Sequence, residues 1–123
     1  MLTWDFLKKY NHEQKLSRKH EIEEKYIAHV RSLNGKVHEY IMHNIIKSNK
    51  YIIVDNTFPY DLEENLEHKL LWINPDTVLE EVEVNKIICS VFDENIYFRN
   101  IHKNQSVKGI VHYHIFVMKN LKI

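Results

Sequence analysis

Two histidines stand two residues apart, His112 and His114, in the apolar segment Ile110–Met118 near the end of the chain. Successive side chains of a β-strand point to opposite faces, so residues i and i+2 share a face with Cβ atoms roughly 7 Å apart. Two imidazoles at that spacing can address one ligand together. His68 lies in another alternating segment, Leu66–Trp72. We therefore predict one site built from three histidines.

A neutral imidazole can act as a nucleophile, as a proton donor or acceptor, or as a metal ligand. In a metal site, His68, His112 and His114 would supply three nitrogen ligands and water the fourth. Such ligands normally need a supporting carboxylate, and Glu67 points to the opposite face of its strand from His68. We therefore expect no metal and no cofactor. The structural alternative, core histidines satisfied by hydrogen bonds, stays open.

Polar residues at predicted strand ends could also contact a ligand. Asp55 and Asn56 come just after a predicted buried strand, at a sheet edge. Asn100 ends another predicted strand, and the loop that follows supplies Gln105 and Ser106. Ordinary turn chemistry explains the first pair equally well, and a solvated hairpin loop explains the other three, so both interpretations remain open.

The positions of these residues depend on the fold. We predict an α+β fold, with N-terminal helices followed by an antiparallel sheet and one crossing helix. Thr3 can cap a short helix, and apolar spacings of four, four and three predict a second helix from about His12 to Leu33. From Lys50 the apolar period changes to two. Asn74 and Pro75 suit the N-cap and first position of the crossing helix. The remaining predicted elements are a helix over 37–47 and strands over 51–54, 66–73, 95–100 and 110–118.

Length and composition predict one domain over residues 1–123, with a helical part over 1–48 and a sheet part over 49–123. A chain of 123 residues can bury a core without disulfides or metal. Apolar residues make up 44%, but no run approaches the ~18 to 20 residues of a membrane span. Charges within the first ten residues argue against a signal peptide. We expect a cytoplasmic protein without a membrane partner.

The charge balance and the single cysteine bear on which binding partners the sequence predicts. The chain has 17 basic and 17 acidic residues and a formal net charge of zero, so binding of duplex nucleic acid is not supported. Cys89 lies between Ile88 and Val91 in a helical apolar stripe, which predicts a buried structural thiol. A second copy of the chain remains an open partner.

Three stretches of the chain resemble the fungal N-acetylglucosamine-induced proteins and their relatives, a family of undefined biochemical activity. The resemblance covers most of the chain. It is carried by Thr3-Trp4-Asp5-Phe6-Leu7 with Leu16-Ser17-Arg18 and Tyr26, by Asn56-Thr57-Phe58-Pro59-Tyr60-Asp61 with Glu67-His68 and Trp72, and by Arg99-Asn100, Ser106-Val107 and Val111-His112-Tyr113-His114.

A more distant resemblance bears on chemistry. The order Asp55, Pro59, His68, Asn100, Gln105-Ser106 and a final His-x-His looks like the histidine triad (HIT) nucleotide hydrolases and transferases. This resemblance implies a HIT-like sheet and a histidine nucleophile that attacks the α-phosphorus of a nucleotide. It also implies that Asp55 holds the ribose and that Asn100, Gln105 and Ser106 hold phosphate and the leaving group.

The last strand departs from the histidine triad pattern because only two of its three histidines are present. In one register His112 is the nucleophile and Ile110 replaces the first histidine. In the other register His114 is the nucleophile and Phe116 replaces the third. Loss of one imidazole can reduce or abolish turnover, since nucleophile and acid or base groups act as a unit.

The leading functional hypothesis is therefore a HIT-like domain that binds a nucleotide or another small phosphorylated molecule. As an enzyme it would be a phosphoramidate or phosphoanhydride hydrolase, or a nucleotidyl transferase. The alternative is a catalytically inactive module that binds a nucleotide or a protein partner, and a three-histidine metal site ranks last.

Overall fold

A computed structural model of the protein describes residues 1–119 and shows helices followed by an antiparallel sheet. The α+β prediction is confirmed. The helices are α1 (Trp4–Lys8), α2 (His20–Ser32), α3 (Val37–Ile41), which continues as a π-helical turn (Met42–Ile46), and α4 (Glu81–Val91); the strands are β1 (Tyr51–Asp55), β2 (Leu66–Ile73), β3 (Ile96–Phe98) and β4 (His112–Met118), with a 3-10 turn at His102–Asn104.

The four strands form one sheet in the order β1-β2-β4-β3, and every neighbouring pair is antiparallel. The two histidine-bearing strands, β2 and β4, are the central pair. Their register sets Trp72 opposite His112, Leu70 opposite His114, and His68 opposite Phe116. The three histidines therefore lie on adjacent strands in the middle of the sheet.

Strand alternation gives the sheet two different apolar faces. Helix α4 covers one face, and the N-terminal segment covers the other, where the histidines lie. The α4 core contains Leu71, Ile73, Val84, Ile88, Tyr113, Ile115 and Val117. The N-terminal side has one cluster with Leu7, Leu16, Tyr60, Leu66, Phe98 and Phe116, and a second with Ile41, Ile46, Leu70, Trp72 and Ile110.

The N-terminal helices differ in part from the prediction. Thr3 caps α1 as predicted, because its hydroxyl accepts a hydrogen bond from the Phe6 N–H. Helix α2 begins at His20, so the predicted start near residue 12 is wrong. Asn11 makes a side-chain turn to the Glu13 N–H, and His12 has a φ of +68°, a conformation that no α-helix contains.

The second correction concerns α4. The helix begins at Glu81, and Glu80 with Glu83 forms its capping box, so the prediction of Asn74 as N-cap is wrong. Asn74 instead accepts a hydrogen bond from the Asp76 N–H in a turn. Cys89 is exposed rather than buried, because it lies one residue past the buried Ile88 and turns away from the sheet.

Two strands are shorter than predicted. Strand β3 ends at Phe98, before Asn100, and β4 begins at His112 rather than Ile110. Gly109, with a φ of +92°, redirects the chain just before β4. Within residues 1–119, no helix is both long enough and apolar enough to cross a membrane.

Candidate functional site

The structure brings the three predicted histidines together. His68 Nε2 lies 2.8 Å from His114 Nδ1, and the ring centroids of His112 and His114 are 5.5 Å apart. All three side chains are buried. The cluster follows from strand geometry, because His112 and His114 share a face of β4 and His68 shares that face from β2.

A chain of hydrogen bonds determines which nitrogens carry protons. The Tyr60 backbone N–H donates to His68 Nδ1 at 3.1 Å, so this nitrogen is an acceptor and a neutral His68 carries its proton on Nε2. His68 then donates to His114 Nδ1, which leaves the His114 proton on Nε2. That nitrogen lies 3.1 Å from the side-chain amide of Asn100. The structure places Asn100 Nδ2 at this position, 2.9 Å from the Tyr60 hydroxyl oxygen. A proton on His114 Nε2 requires the Asn100 amide to be turned over, so that its oxygen accepts from His114 and from the Tyr60 hydroxyl.

Burial keeps these imidazoles uncharged. It lowers the pKa of His68 to about 3. Burial also lowers the pKa of His114 well below its ordinary value, and the charges of His68, His112 and Arg18 act in the same direction. For His112, burial lowers the pKa, and the hydrogen bond to the Ile110 carbonyl opposes the shift. At neutral pH the three rings therefore act as neutral donors and acceptors.

His112 differs from its two neighbours in having a free nitrogen. Its Nδ1 donates to the Ile110 carbonyl at 3.0 Å, and its ring packs on Trp72 with 4.6 Å between centroids. Its Nε2 makes no hydrogen bond within residues 1–119. Because Nδ1 carries the proton, Nε2 has an unshared electron pair.

The sheet and the helices α2 and α3 enclose a cavity of about 280 Å³ beside His112 and His114. Its walls are mostly apolar and aromatic, as in most small-molecule sites. The apolar walls include Val30, Leu33, Val37, Ile41 and Ile45, the aromatic walls Tyr26, Tyr40, Phe58 and Trp72, and the polar groups Arg18, His29, Ser106 and His112.

Some of the other predicted site residues border this cavity and some do not. Asp55 borders it, but its carboxylate pairs with Lys69, whose side chain lies on the α4 face of the sheet. The predicted ribose contact therefore has its carboxylate turned away. Asn56 borders the cavity and accepts from the Phe58 N–H at 2.9 Å.

The loop residues also separate into two groups. Ser106 is exposed and borders the cavity. Asn100 is buried behind His114, where its amide completes the histidine network. Gln105 donates to the Asn100 backbone carbonyl at 2.9 Å, so it holds the loop rather than facing the cavity.

Comparison with known proteins identifies the family. Residues 3–118 match the family described as "Protein of unknown function (DUF3605)". The chain belongs to this family. The expected membership of a family of undefined activity is confirmed in this form, whereas the relation to fungal N-acetylglucosamine-induced proteins and to histidine triad enzymes stays a prediction.

Two further comparisons give information on the fold but not on the function. No curated protein matches the sequence. The crystal structure of HTC1 resembles this DUF3605 chain with a TM-score of 0.66 and 18% sequence identity, covering 98% of this chain and 86% of that one. At this identity, the similarity shows a shared fold and carries no function.

The geometry of His68, His112 and His114 does not support a three-histidine metal site. Among residues 1–119, no three His, Cys, Asp or Glu side chains are arranged to hold a metal ion. His68 and His114 direct nitrogens at each other, and the Ile110 carbonyl takes His112 Nδ1, so three lone pairs do not converge on one point.

Arg18 is the cavity residue that sequence reasoning missed as a ligand. It comes from the irregular segment before α2, and its guanidinium lies 4.1 Å from the centroid of the Tyr26 ring. Its place in the motif Leu16-Ser17-Arg18 marked it only as part of a family pattern. No local spacing relates it to the histidines, so only the tertiary fold shows their common cavity.

Because His68 and His114 stay neutral in the folded protein, we expect its free energy of unfolding to fall in mild acid. The folded pKa values of His68 and His114 lie below the ordinary value of 6.5, so the unfolded chain takes up protons that the folded chain refuses. The two histidines contribute fully to the free energy of unfolding above about pH 6.5. This contribution falls as the pH drops from 6.5 towards their folded pKa values. Each histidine that stays neutral should cost about 1.4 kcal/mol per pH unit in that window.

Urea unfolding at pH 7, 6 and 5 measures this dependence above the range in which most carboxylates titrate. A His68→Leu variant should show a flatter profile, whereas a His20→Leu variant, changed at an exposed position, should keep the wild-type slope. An unfolding free energy that stays constant within about 0.5 kcal/mol from pH 7 to 5 would contradict the neutral pair.

Proposed function

We propose that this DUF3605 chain binds a nucleotide, or another small phosphorylated molecule, in the cavity and uses His112 as a nucleophile on phosphorus. One observation carries the proposal. His112 has Nδ1 held by the Ile110 carbonyl and an unpaired Nε2, and the residue borders the cavity. This register makes Ile110 the replacement for the missing histidine.

The chemistry needs a neutral imidazole with a fixed orientation. Burial keeps the pKa of His112 below its ordinary value, so the lone pair on Nε2 is available at neutral pH. Attack forms a bond from Nε2 to phosphorus and breaks the bond from phosphorus to the leaving group, which takes a proton from water and departs as a neutral amine. The positive charge that develops on the ring is stabilised by the Nδ1–H bond to the Ile110 carbonyl. Water then displaces the imidazole and completes hydrolysis.

Cavity size and composition support a mononucleotide. A cavity of about 280 Å³ lies just below the usual range for small-molecule sites, about 300 to 1,000 Å³, which favours a small ligand. Tyr26, Tyr40, Phe58 and Trp72 offer aromatic surface for a planar base. Arg18 offers a fixed positive charge for phosphate.

The second candidate is a module that binds the same ligand without turnover. It is favoured by the use of both His114 nitrogens, one by His68 and one by Asn100. His114 then has no free nitrogen with which to protonate a leaving group. Ile110, which replaces a histidine, supplies no acid either.

Calorimetry with AMP, followed by ³¹P NMR with adenosine 5′-phosphoramidate, tests both candidates. We expect AMP to bind with a Kd below about 1 mM, equivalent to about −4 kcal/mol, and the phosphoramidate to be hydrolysed. Binding without hydrolysis would select the inactive module. Absence of binding for AMP and the other common nucleoside monophosphates at millimolar concentration would refute both candidates.

A further inference from the structure

We propose that Arg18 is the anion-binding residue of the cavity and receives the phosphate of the bound nucleotide. The inference rests on the proposed function and adds the group that selects a phosphorylated ligand over its neutral nucleoside. It places the phosphate-selective contact on the N-terminal segment, outside the loop that contains Asn100, Gln105 and Ser106.

The structure holds the Arg18 guanidinium in a fixed position. Its Nε donates to the Phe58 carbonyl at 2.7 Å, and its Nη1 donates to Glu23 Oε2 at 3.1 Å. The guanidinium carbon lies over the Tyr26 ring, 4.1 Å from the centroid. Two hydrogen bonds and a ring contact leave the side chain little freedom, so binding an anion there costs little further ordering.

Arg18 also has donors left over. A guanidinium has five N–H groups, and Nη2 makes no hydrogen bond within the part of the chain that the structure describes. The side chain is 10% exposed and borders the cavity, so the unused donors are open to a ligand there. A largely desolvated cation with unused donors is stabilised by an oxyanion, and phosphate matches the planar fork of arginine.

The charges around the cavity favour an anion as well. Glu23, the partner of Arg18, is 43% exposed and does not border the cavity, so water weakens its hold on the guanidinium. Asp55 is the acidic residue on the cavity wall, and its carboxylate is already paired with Lys69. Arg18 therefore supplies a positive charge that no free carboxylate on the described wall cancels.

Trp72 lines the same cavity, but its indole N–H is not a second donor for a ligand. The indole nitrogen has no hydrogen-bond partner among residues 1–119 and almost no accessible surface. The selection of an anion is therefore assigned to Arg18 alone.

Paired calorimetry with AMP and adenosine tests the assignment. Wild-type protein should bind AMP about tenfold or more tightly than adenosine, because charge-assisted hydrogen bonds to Arg18 act on AMP alone. Arg18→Met should weaken AMP binding roughly 10- to 100-fold and leave adenosine within about threefold. Arg18→Lys should fall between them, since an ammonium keeps the charge but loses the planar fork.

Arg31→Met is the matched control, because it removes an arginine at an exposed position of α2 that does not border the cavity. AMP should bind to it within about twofold of wild type. Equal AMP affinity in wild type and Arg18→Met would overturn the inference. If Arg18→Met does not fold, equal AMP affinity in wild type and Arg18→Lys overturns it.

The controls separate this inference from the proposed function. If wild type binds AMP and adenosine equally, the cavity takes nucleotides and the Arg18 assignment alone fails. If wild type binds neither ligand at millimolar concentration, both proposals fail.

Discussion

Replacement of His112 by alanine is expected to abolish hydrolysis of adenosine 5′-phosphoramidate, with a loss of turnover on the order of 10⁴-fold or more. The variant lacks the Nε2 lone pair that the Nδ1–H bond to the Ile110 carbonyl holds in a fixed orientation at the cavity. His114 cannot replace it, because both of its nitrogens are bound by neighbours. Steady-state turnover by ³¹P NMR measures the effect.

The variant should still bind the product. AMP affinity in His112→Ala should stay within about tenfold of wild type, or 1.4 kcal/mol, because a nucleophile contributes mainly to the reaction step. His20→Ala, at a highly exposed position, is the matched histidine control and should retain full turnover. Mass spectrometry of quenched wild-type reactions should detect a nucleotidyl group on His112.

Two results would contradict this role. Turnover above a tenth of wild type in His112→Ala would mean that another residue attacks phosphorus. A nucleotidyl group on His114 would select the other register, in which Phe116 replaces the missing histidine.

Replacement of His68 by leucine is expected to lower the free energy of unfolding by roughly 2 to 5 kcal/mol. Leucine fills much of the space but has no polar atoms. The Tyr60 N–H loses its acceptor, and His114 Nδ1 loses its donor, and both residues are buried. Each buried group left unpaired costs about 1 to 3 kcal/mol. Urea unfolding at pH 7 measures the sum.

A double-mutant cycle separates the hydrogen bond from the loss of packing. His68→Leu and His114→Leu together should cost less than the sum of the two single changes, because the double variant leaves no imidazole of the pair unpaired. His20→Leu, on the surface, should stay within about 0.5 kcal/mol of wild type. A loss below about 1 kcal/mol in His68→Leu, or strictly additive costs, would show that the two rings do not act as a hydrogen-bonded unit.

Local sequence patterns were sufficient to predict the long strands and the face of the sheet on which the histidines lie. Alternation in β2 and β4 depends only on the backbone geometry of a single strand, so Leu66, His68, Leu70 and Trp72 were correctly assigned to one face. Thr3 as the cap of α1 was also correct, since capping involves residues three apart. The strands were predicted well where apolar residues alternate over many positions, and poorly at β3, which is three residues long.

Helix starts were harder because competing signals are all local and similar in strength. Asn74-Pro75 resembles a helix start, yet Glu80 and Glu83 provide a reciprocal cap, and the N-cap Glu80 lies six residues after Asn74. The apolar spacing that predicted α2 starts at Ile22, and the extension of the helix back to His12 was wrong because of the turn at Asn11 and the positive φ of His12. Cys89 shares the apolar stripe in sequence but lies beyond the edge of the face that the sheet covers.

The sequence by itself determined that His112, His114 and His68 share a face of a central antiparallel sheet. Only the tertiary structure decided which of them has a free nitrogen, because the partners of His68 and His114 come from other segments of the chain, 8 to 46 residues away. The Tyr60 N–H and the Asn100 amide occupy the nitrogens of His68 and His114, whereas His112 keeps Nε2. The cavity and the approach of Arg18 likewise depend on how α2 and α3 pack over the sheet, and the Asp55 carboxylate is turned away by its pairing with Lys69 on the neighbouring strand. Contacts of this kind are non-local, so no spacing along the chain encodes them.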